Sequence, residues 1–272
     1  MLTILTPTYN RVRTLPALYE SLCAQTCLDF EWLIVDDGST DDTAVWLRSC
    51  QVENAPFSIR SLSQANGGKH VALNTGVRAA RGDWVFIVDS DDCLTADAVE
   101  CMMDAVVQAA KAPQFVVGVC FRRADPGGRL LGLPCEDLPS PFEGSPSQVG
   151  RMVQGDLAYA FRREVMAELP FPVIPGERFV PELYIWNKIG DRGQIWFYLS
   201  RAIYLCEYLD DGYTRNFNTH LQRNPGGFLL FYAAQIGRES RWMDKLKATI
   251  RSVQCLIYCA AKAADERRRA LS

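Results

Sequence analysis

Histidine is almost absent: His70 and His220 are the only two in 272 residues, and the ten cysteines include no C-x-x-C pair. Structural zinc sites draw four ligands from closely spaced Cys and His, so none is expected here. Cys23 with Cys27, and Cys255 with Cys259, have the four-residue spacing of one helix face instead. There is no basic surplus either. The 29 Lys and Arg stand against 32 Asp and Glu, giving a net charge of -3, which removes the electrostatic basis for sequence-independent nucleic-acid binding. No apolar run approaches the ~20 residues of a spanning helix. No G-x-G-x-x-G follows the first strand-like run, so a dinucleotide site lacks its phosphate loop. A signal pattern is missing from the first residues, where strand-like LTIL begins at Leu2, and the expectation is a cytoplasmic protein with reduced thiols.

What is present is enough apolar content, 48%, for one large domain or one domain with an appended subdomain. Short β-rich runs alternate with helical patterns: LTIL, Leu15 to Leu22, WLIV, TDDTAVWLRSC, Phe57 to Leu62, Lys69 to Ala80, WVFIV, then a helix after Thr95 as N-cap, then FVVGVCF. That alternation predicts an α/β fold with a mostly parallel sheet covered by helices on both faces. A proline-rich stretch from Pro134 to Pro146 breaks the rhythm. Beyond it lie DLAYAFRREVMAEL, the loop PFPVIPGERFVPE, helical LYIWNKIG, and strand-like IWFYL and AIYLC. Near the C-terminus, WMDKLKATIRSVQCLIYCAAKAADERRR combines an apolar stripe with Lys245, Lys247, Arg251, Lys262 and Arg267 to Arg269. It reads first as a helix packed on its own domain with a solvated basic face, and second as a helix lying on an anionic membrane surface.

Three runs end in polar clusters. The first leads into TPTYNR (6–11), the second into DDGST (36–40) and the fourth into DSDD (89–92). Ligands of open parallel sheets bind outside the carboxyl ends of the strands, and a 3-2-1-4 strand order brings all three clusters to one crevice. In an extended chain Asp89 and Asp91 point to the same side, so they repel unless a cation or several donors sit between them. Asp41 and Asp42 read as helix-start carboxylates, with Ser39 or Thr40 as cap. Asp36 and Asp37, directly after LIV, do not. In NGGKHVALNTG (66–76), the amides of Gly67 and Gly68 beside Lys69 can approach a phosphate, or the stretch is only a helix-initiating loop.

TPTYNR, IVDDGST, NGGKHVALNTG and FIVDSDD, in this order over residues 2–95, resemble the family-two inverting glycosyltransferases of GT-A fold. The resemblance implies a mostly parallel Rossmann-like sheet flanked by helices, with an acceptor-side region and a helical tail. It divides the chain into a glycosyltransferase domain (1–225, with a nucleotide-sugar-binding half 1–122 and an acceptor half 123–225) and a C-terminal extension (226–272). It also implies a nucleotide-sugar donor, usually a UDP-sugar, and a glycan or lipid-linked acceptor. Pro7, Tyr9 and Arg11 fall near the nucleotide, Asp36 at the uracil and Asp89 near the ribose, with Lys69, Thr8, Asn66, Asn74 and Ser90 as further substrate-binding positions. Asp91 becomes the ligand of Mn²⁺ or Mg²⁺. Relatives often carry an arginine where Leu73 precedes Asn74, which shifts phosphate contact to Lys69.

The same resemblance makes Glu182, in PGERFVPELYIWNKI, the general base, with Glu177 as the fallback. Asp156 and Tyr159, in GDLAYAFR, become acceptor or donor-sugar contacts. Tyr184 and Trp186 are either sugar-stacking rings or core aromatics, and Arg215 or His220 can close over the diphosphate. Two other readings remain open: a regulator that binds nucleotide-sugar without turnover, and a D-x-D phosphotransferase, which more naturally carries its motif on the first strand.

Overall fold

The computed structural model describes residues 1–52, 55–135, 137–206 and 217–270. The chain forms two compact units, Met1–Pro170 with Trp186–Glu207, and Phe171–Ile185 with Tyr208–Ser272.

The first unit holds the sheet. In chain order its elements are β1 (Leu2–Thr8), α1 (Leu15–Cys23), β2 (Phe30–Asp36), α2 (Thr43–Val52), β3 (Ser58–Ser63), α3 (Lys69–Ala79), β4 (Trp84–Ile87), β5 (Cys93–Leu94), α4 (Ala98–Lys111), β6 (Val116–Ala124), β7 (Phe142–Glu143), α5 (Pro146–Val153), β8 (Leu157–Arg162) and α6 (Arg163–Glu168). α7 (Glu182–Gly190) then leads to β9 (Gln194–Leu205). The sheet order is β3-β2-β1-β4-β8-β6-β9-β5, with β7 also on β9. The first four strands are parallel, with Leu2 level with Phe30 on one side and Trp84 on the other. Every residue of β1, β2 and β4 is buried, as the apolar runs of a sheet covered on both faces require. α3 lies close on β1 because it carries glycine there: a Cβ on Gly76 would stand 2.2 Å from Leu5 Cδ1.

The structure departs from the sequence reading at several points. FVVGVCF does not extend the parallel series directly, because β8 inserts antiparallel between β4 and β6. IWFYL and AIYLC are one strand, β9. Thr95 is not the cap of α4. Asp97 is, and the Thr95 hydroxyl donates to its carboxylate at 2.7 Å. Neither Ser39 nor Thr40 caps α2; Asp41 Oδ1 accepts the Thr43 N–H at 3.0 Å.

The second unit is helical, with α8 (Phe217–Arg223), α9 (Pro225–Arg238) and α10 (Trp242–Ala270). Leu221, Phe228 and Cys255 form its small core, with Phe179, Phe217 and Tyr232 against it. Glu177 is buried, and its carboxylate accepts N–H donors from Gly226 (2.8 Å) and Gly227 (2.9 Å) in the first turn of α9. Lys262 Nζ stands 3.8 Å away. A carboxylate holding helix-start amides that lack an intrahelical partner is favoured by both hydrogen bonding and the dipole, so Glu177 anchors the start of α9. Glu177→Ala should therefore leave two amides unsatisfied and lower unfolding stability by about 1–3 kcal/mol; an unchanged urea midpoint would remove that assignment.

Candidate active site

β4 stops at Ile87. Asp89 to Asp92 are consequently not extended but form a turn, closed by the Asp92 N–H on the Asp89 carbonyl at 3.3 Å. The alternation that put Asp89 and Asp91 on one side does not apply there. The positive charge needed beside them comes largely from the chain itself. Lys69, first residue of α3, meets Asp89 Oδ1 at 2.5 Å. Arg123, near the end of β6, reaches Asp92 Oδ2 at 3.3 Å and Asp89 Oδ2 at 3.7 Å. Arg11, from the loop after β1, stands 3.5 Å from Asp91 Oδ2. Three carboxylates and three cations thus gather at the carboxyl ends of β1 and β4.

Tyr204 of β9 orders this turn from below. Its hydroxyl donates to Asp92 Oδ2 and accepts the Asp89 N–H, both at 2.8 Å, and the Arg123 guanidinium lies 4.1 Å from its ring centroid. Burial raises the Asp89 carboxyl, but Lys69 and then Arg123 outweigh it and hold it below the usual range. Burial, reinforced by the neighbouring Asp89 charge, pushes Asp92 up to about 7. A raised acid favours folding while the group is protonated, so this contribution is full below the unfolded value near pH 4 and is lost as pH rises through about 7.

The second strand end is built differently. Asp36 is buried and accepts the Ser39 N–H (3.0 Å) and hydroxyl (2.5 Å) on Oδ1. Asp37 accepts from Gln64 Nε2 (2.7 Å) and the Gly67 N–H (2.9 Å) on one oxygen, and from the Gly68 N–H (2.7 Å) on the other. The two glycine amides read as able to approach a phosphate are therefore taken by Asp37. Gly38, at φ 77°, makes the turn that allows this, and a Cβ there would stand 2.9 Å from the Asn66 amide nitrogen. Asn66 Nδ2 donates to the Asp37 carbonyl at 2.9 Å. Asp37→Ala should free this loop and cost about 1–3 kcal/mol of stability; a melting curve identical to wild type would contradict it. The loop after β1 is tied to the same region, since Asn10, at φ 55°, accepts the Thr40 N–H at 2.8 Å and donates its own to Ser39 Oγ at 2.9 Å.

Of the remaining sequence-predicted residues, Pro7 and Thr8 close β1, and Tyr9 is exposed beside them. The Thr8 hydroxyl oxygen is buried without a hydrogen-bond partner among the described residues, an unpaired group at a strand end. Ser90 and Asn74 are buried, in the turn and in α3. Asp156 is exposed just before β8. Tyr159 is only 9% exposed and stacks on Phe161 at 5.4 Å, with Trp186 at 6.0 Å. Tyr159 and Trp186 thus belong to an aromatic core rather than offering open faces to a sugar. Glu182 is the half-buried first residue of α7 and belongs to the second unit. His220 lies in α8, its ring 6.3 Å from Phe179, while Arg215 and the rest of 210–216 fall outside the described residues.

Arg123 and Tyr204 are not singled out by the sequence, and Asp92 enters it only as the last residue of DSDD. The charged pair Arg122–Arg123 closing an otherwise apolar strand was a usable signal; Tyr204, inside strand-like AIYLC, gave none.

Residues 3–134, which include all three strand ends, match the profile described as Glycosyl transferase family 2. This stretch belongs to glycosyl transferase family 2. Its relatives agree. Chondroitin synthase of Escherichia coli is 43% identical over 105 residues, 38% of this chain and 15% of that protein. The glycosyltransferase YibD of Escherichia coli (strain K12) is 34% identical over 140 residues, 51% of this chain and 40% of that protein. The chain thus covers well under half the length of these curated relatives. Among solved structures, S. aureus TarS 1-349 in complex with UDP-GlcNAc aligns with TM-score 0.65 and 18% identity over 94% of this chain and 72% of that one. The mannosyltransferase PcManGT from Pyrobaculum calidifontis, in complex with GDP-Man and Mn2+, aligns with TM-score 0.61 and 21% identity over 97% and 75%. At such identities the likeness is one of fold, and that fold is the GT-A type. The family-2 domain therefore supplies the parallel strands β1 to β4, the acidic turn and the Asp37-clamped loop.

Proposed function

We propose that the protein is an inverting, metal-dependent glycosyltransferase that moves a hexosyl or N-acetylhexosaminyl group from a nucleotide-sugar, by preference a UDP-sugar, to a hydroxyl of a glycan or lipid-linked acceptor. The observation that carries this reading is the assembly of Arg11, Lys69, Asp89 and Asp91 at the ends of β1 and β4 within a family-2 domain. The solved neighbours with UDP-GlcNAc and with GDP-Man and Mn2+ support the same donor class.

The residues present suit a divalent ion. Asp89 and Asp92 are already balanced by Lys69, Arg123 and the Tyr204 hydroxyl, whereas Asp91 meets a half-exposed Arg11 at 3.5 Å and keeps 28% of its side chain exposed. Asp91 is therefore the carboxylate with room to ligate Mg²⁺ or Mn²⁺, both of which take oxygen ligands. When bound, the ion neutralises charge on the leaving diphosphate. The chain's own groups do the rest. Asp36, fixed by Ser39, receives the base, Lys69 and Arg11 face the phosphates, and Glu182 takes the proton of the attacking hydroxyl.

The test is nucleotide release from a panel of UDP-, GDP- and other nucleotide-sugars in Mn²⁺, with melting temperature followed in parallel. Release from at least one UDP-sugar, and a rise in melting temperature with the same compound, is the expected result. Donor binding without release from any acceptor mixture would favour the regulator reading, and no binding at all would reject both.

A further inference from the structure

We propose that the outer face of α10 docks on an anionic lipid surface. The helix has two unlike sides. Ala248, Ser252 and Cys255 are buried, and Cys255 belongs to the small core with Phe228 of α9. On the other side Trp242, Leu246, Ile250, Val253 and Ile257 recur at three- and four-residue spacing and are 72%, 49%, 58%, 51% and 62% exposed. Singly exposed apolar residues need no explanation, but a continuous stripe of them marks an interaction surface. This one runs for about 23 Å at ~1.5 Å per residue. One face of the helix thus packs on its own unit, and the other is left exposed. No helix among the described residues is long and apolar enough to cross a membrane, so the geometry is that of a helix lying in the interface plane.

Charge selects the occupant. From Lys245 to Ala264 the chain has no Asp or Glu but contains Lys245, Lys247, Arg251 and Lys262, in a protein of net charge -3. Arg251 and Lys262 are used internally, over the Phe217 ring at 5.3 Å and on the Gly176 carbonyl at 2.9 Å. Lys245 and Lys247 are exposed, Lys247 in a surface pair 3.4 Å from Asp244 Oδ1; at ~100° per residue they border the stripe on opposite sides. Two flanking lysines can extend their stems along apolar surface with the ammonium groups at the level of lipid phosphates. A second copy of the chain would instead find a single carboxylate, Asp244, at the start of the helix and none from Lys245 to Ala264, too few for the charge pairs that helix pairing uses at such flanks.

This inference rests on the helix and not on the donor reading, so vesicle binding and sugar transfer succeed or fail separately. Flotation of the full chain with phosphatidylcholine vesicles, with and without a minor fraction of phosphatidylglycerol, tests it. Binding should be about tenfold stronger to the anionic vesicles and weaken with salt. Ile250→Ser/Ile257→Ser and Lys245→Glu/Lys247→Glu should each lose about tenfold while keeping the wild-type melting temperature. Equal binding to neutral vesicles, no binding, or variants that bind like wild type would overturn the proposal. So would a dimer in sedimentation velocity that Ile250→Ser/Ile257→Ser abolishes in a chain that ignores vesicles, which would assign the stripe to a second copy.

Discussion

Asp91→Ala is expected to abolish sugar transfer, by about 10³-fold or more, without unfolding the protein. Lewis-acid stabilisation of a leaving phosphate is worth several kcal/mol, and each ~1.4 kcal/mol is tenfold in rate. The fold should survive because the substitution removes only a partly exposed ion pair with Arg11 at 3.5 Å, which contributes under ~1 kcal/mol. The contrast with Asp89 is diagnostic. Its carboxylate balances Lys69 and Arg123 while its backbone N–H is held by Tyr204, so Asp89→Ala should lower stability as well as turnover. Steady-state rates and melting curves of the two variants, measured side by side with and without EDTA, separate these roles. Wild-type turnover in Asp91→Ala would remove the metal assignment.

The second large effect is at Glu182. A positioned base contributes about 10² to 10⁴ in rate, so Glu182→Gln should lower turnover by at least tenfold while the affinity for the donor, read by calorimetry, stays as in wild type. Glutamine preserves the size and the half-buried placement at the start of α7 and removes only the basicity. Normal turnover would eliminate Glu182, and Glu177 would not inherit the role, because both its oxygens are engaged by Gly226 and Gly227.

The parallel half of the fold was legible because its signals are local. Each buried strand is an apolar run, each is followed by a helical pattern, and each polar cluster begins where a run stops. Those features place β1, β2 and β4, and with them Arg11, Asp36, Lys69 and Asp89, at one edge. What sequence could not reveal depends on long-range pairing. LAYAFR carries no mark of lying antiparallel between β4 and β6. Arg123 and Tyr204 reach the acidic turn from 31 to 115 positions away. The turn itself shows why pattern reasoning stops at strand ends: an alternation rule holds only while the chain stays extended, and β4 ends two residues before Asp89. The Gly67–Gly68 loop teaches the same lesson, since free amides in a flexible stretch read as a phosphate cradle until a buried carboxylate, Asp37, is found to occupy them.

Metal-dependent sugar transfer at this site requires that the acidic turn after β4 take up a divalent cation together with the donor diphosphate. Anomalous scattering at the manganese edge, from crystals grown with Mn²⁺ and UDP, addresses it directly. A single strong peak within ligating distance of the Asp91 carboxylate, with the uracil against Asp36, is the predicted result. A peak elsewhere, or UDP bound away from the ends of β1 and β2, would contradict it.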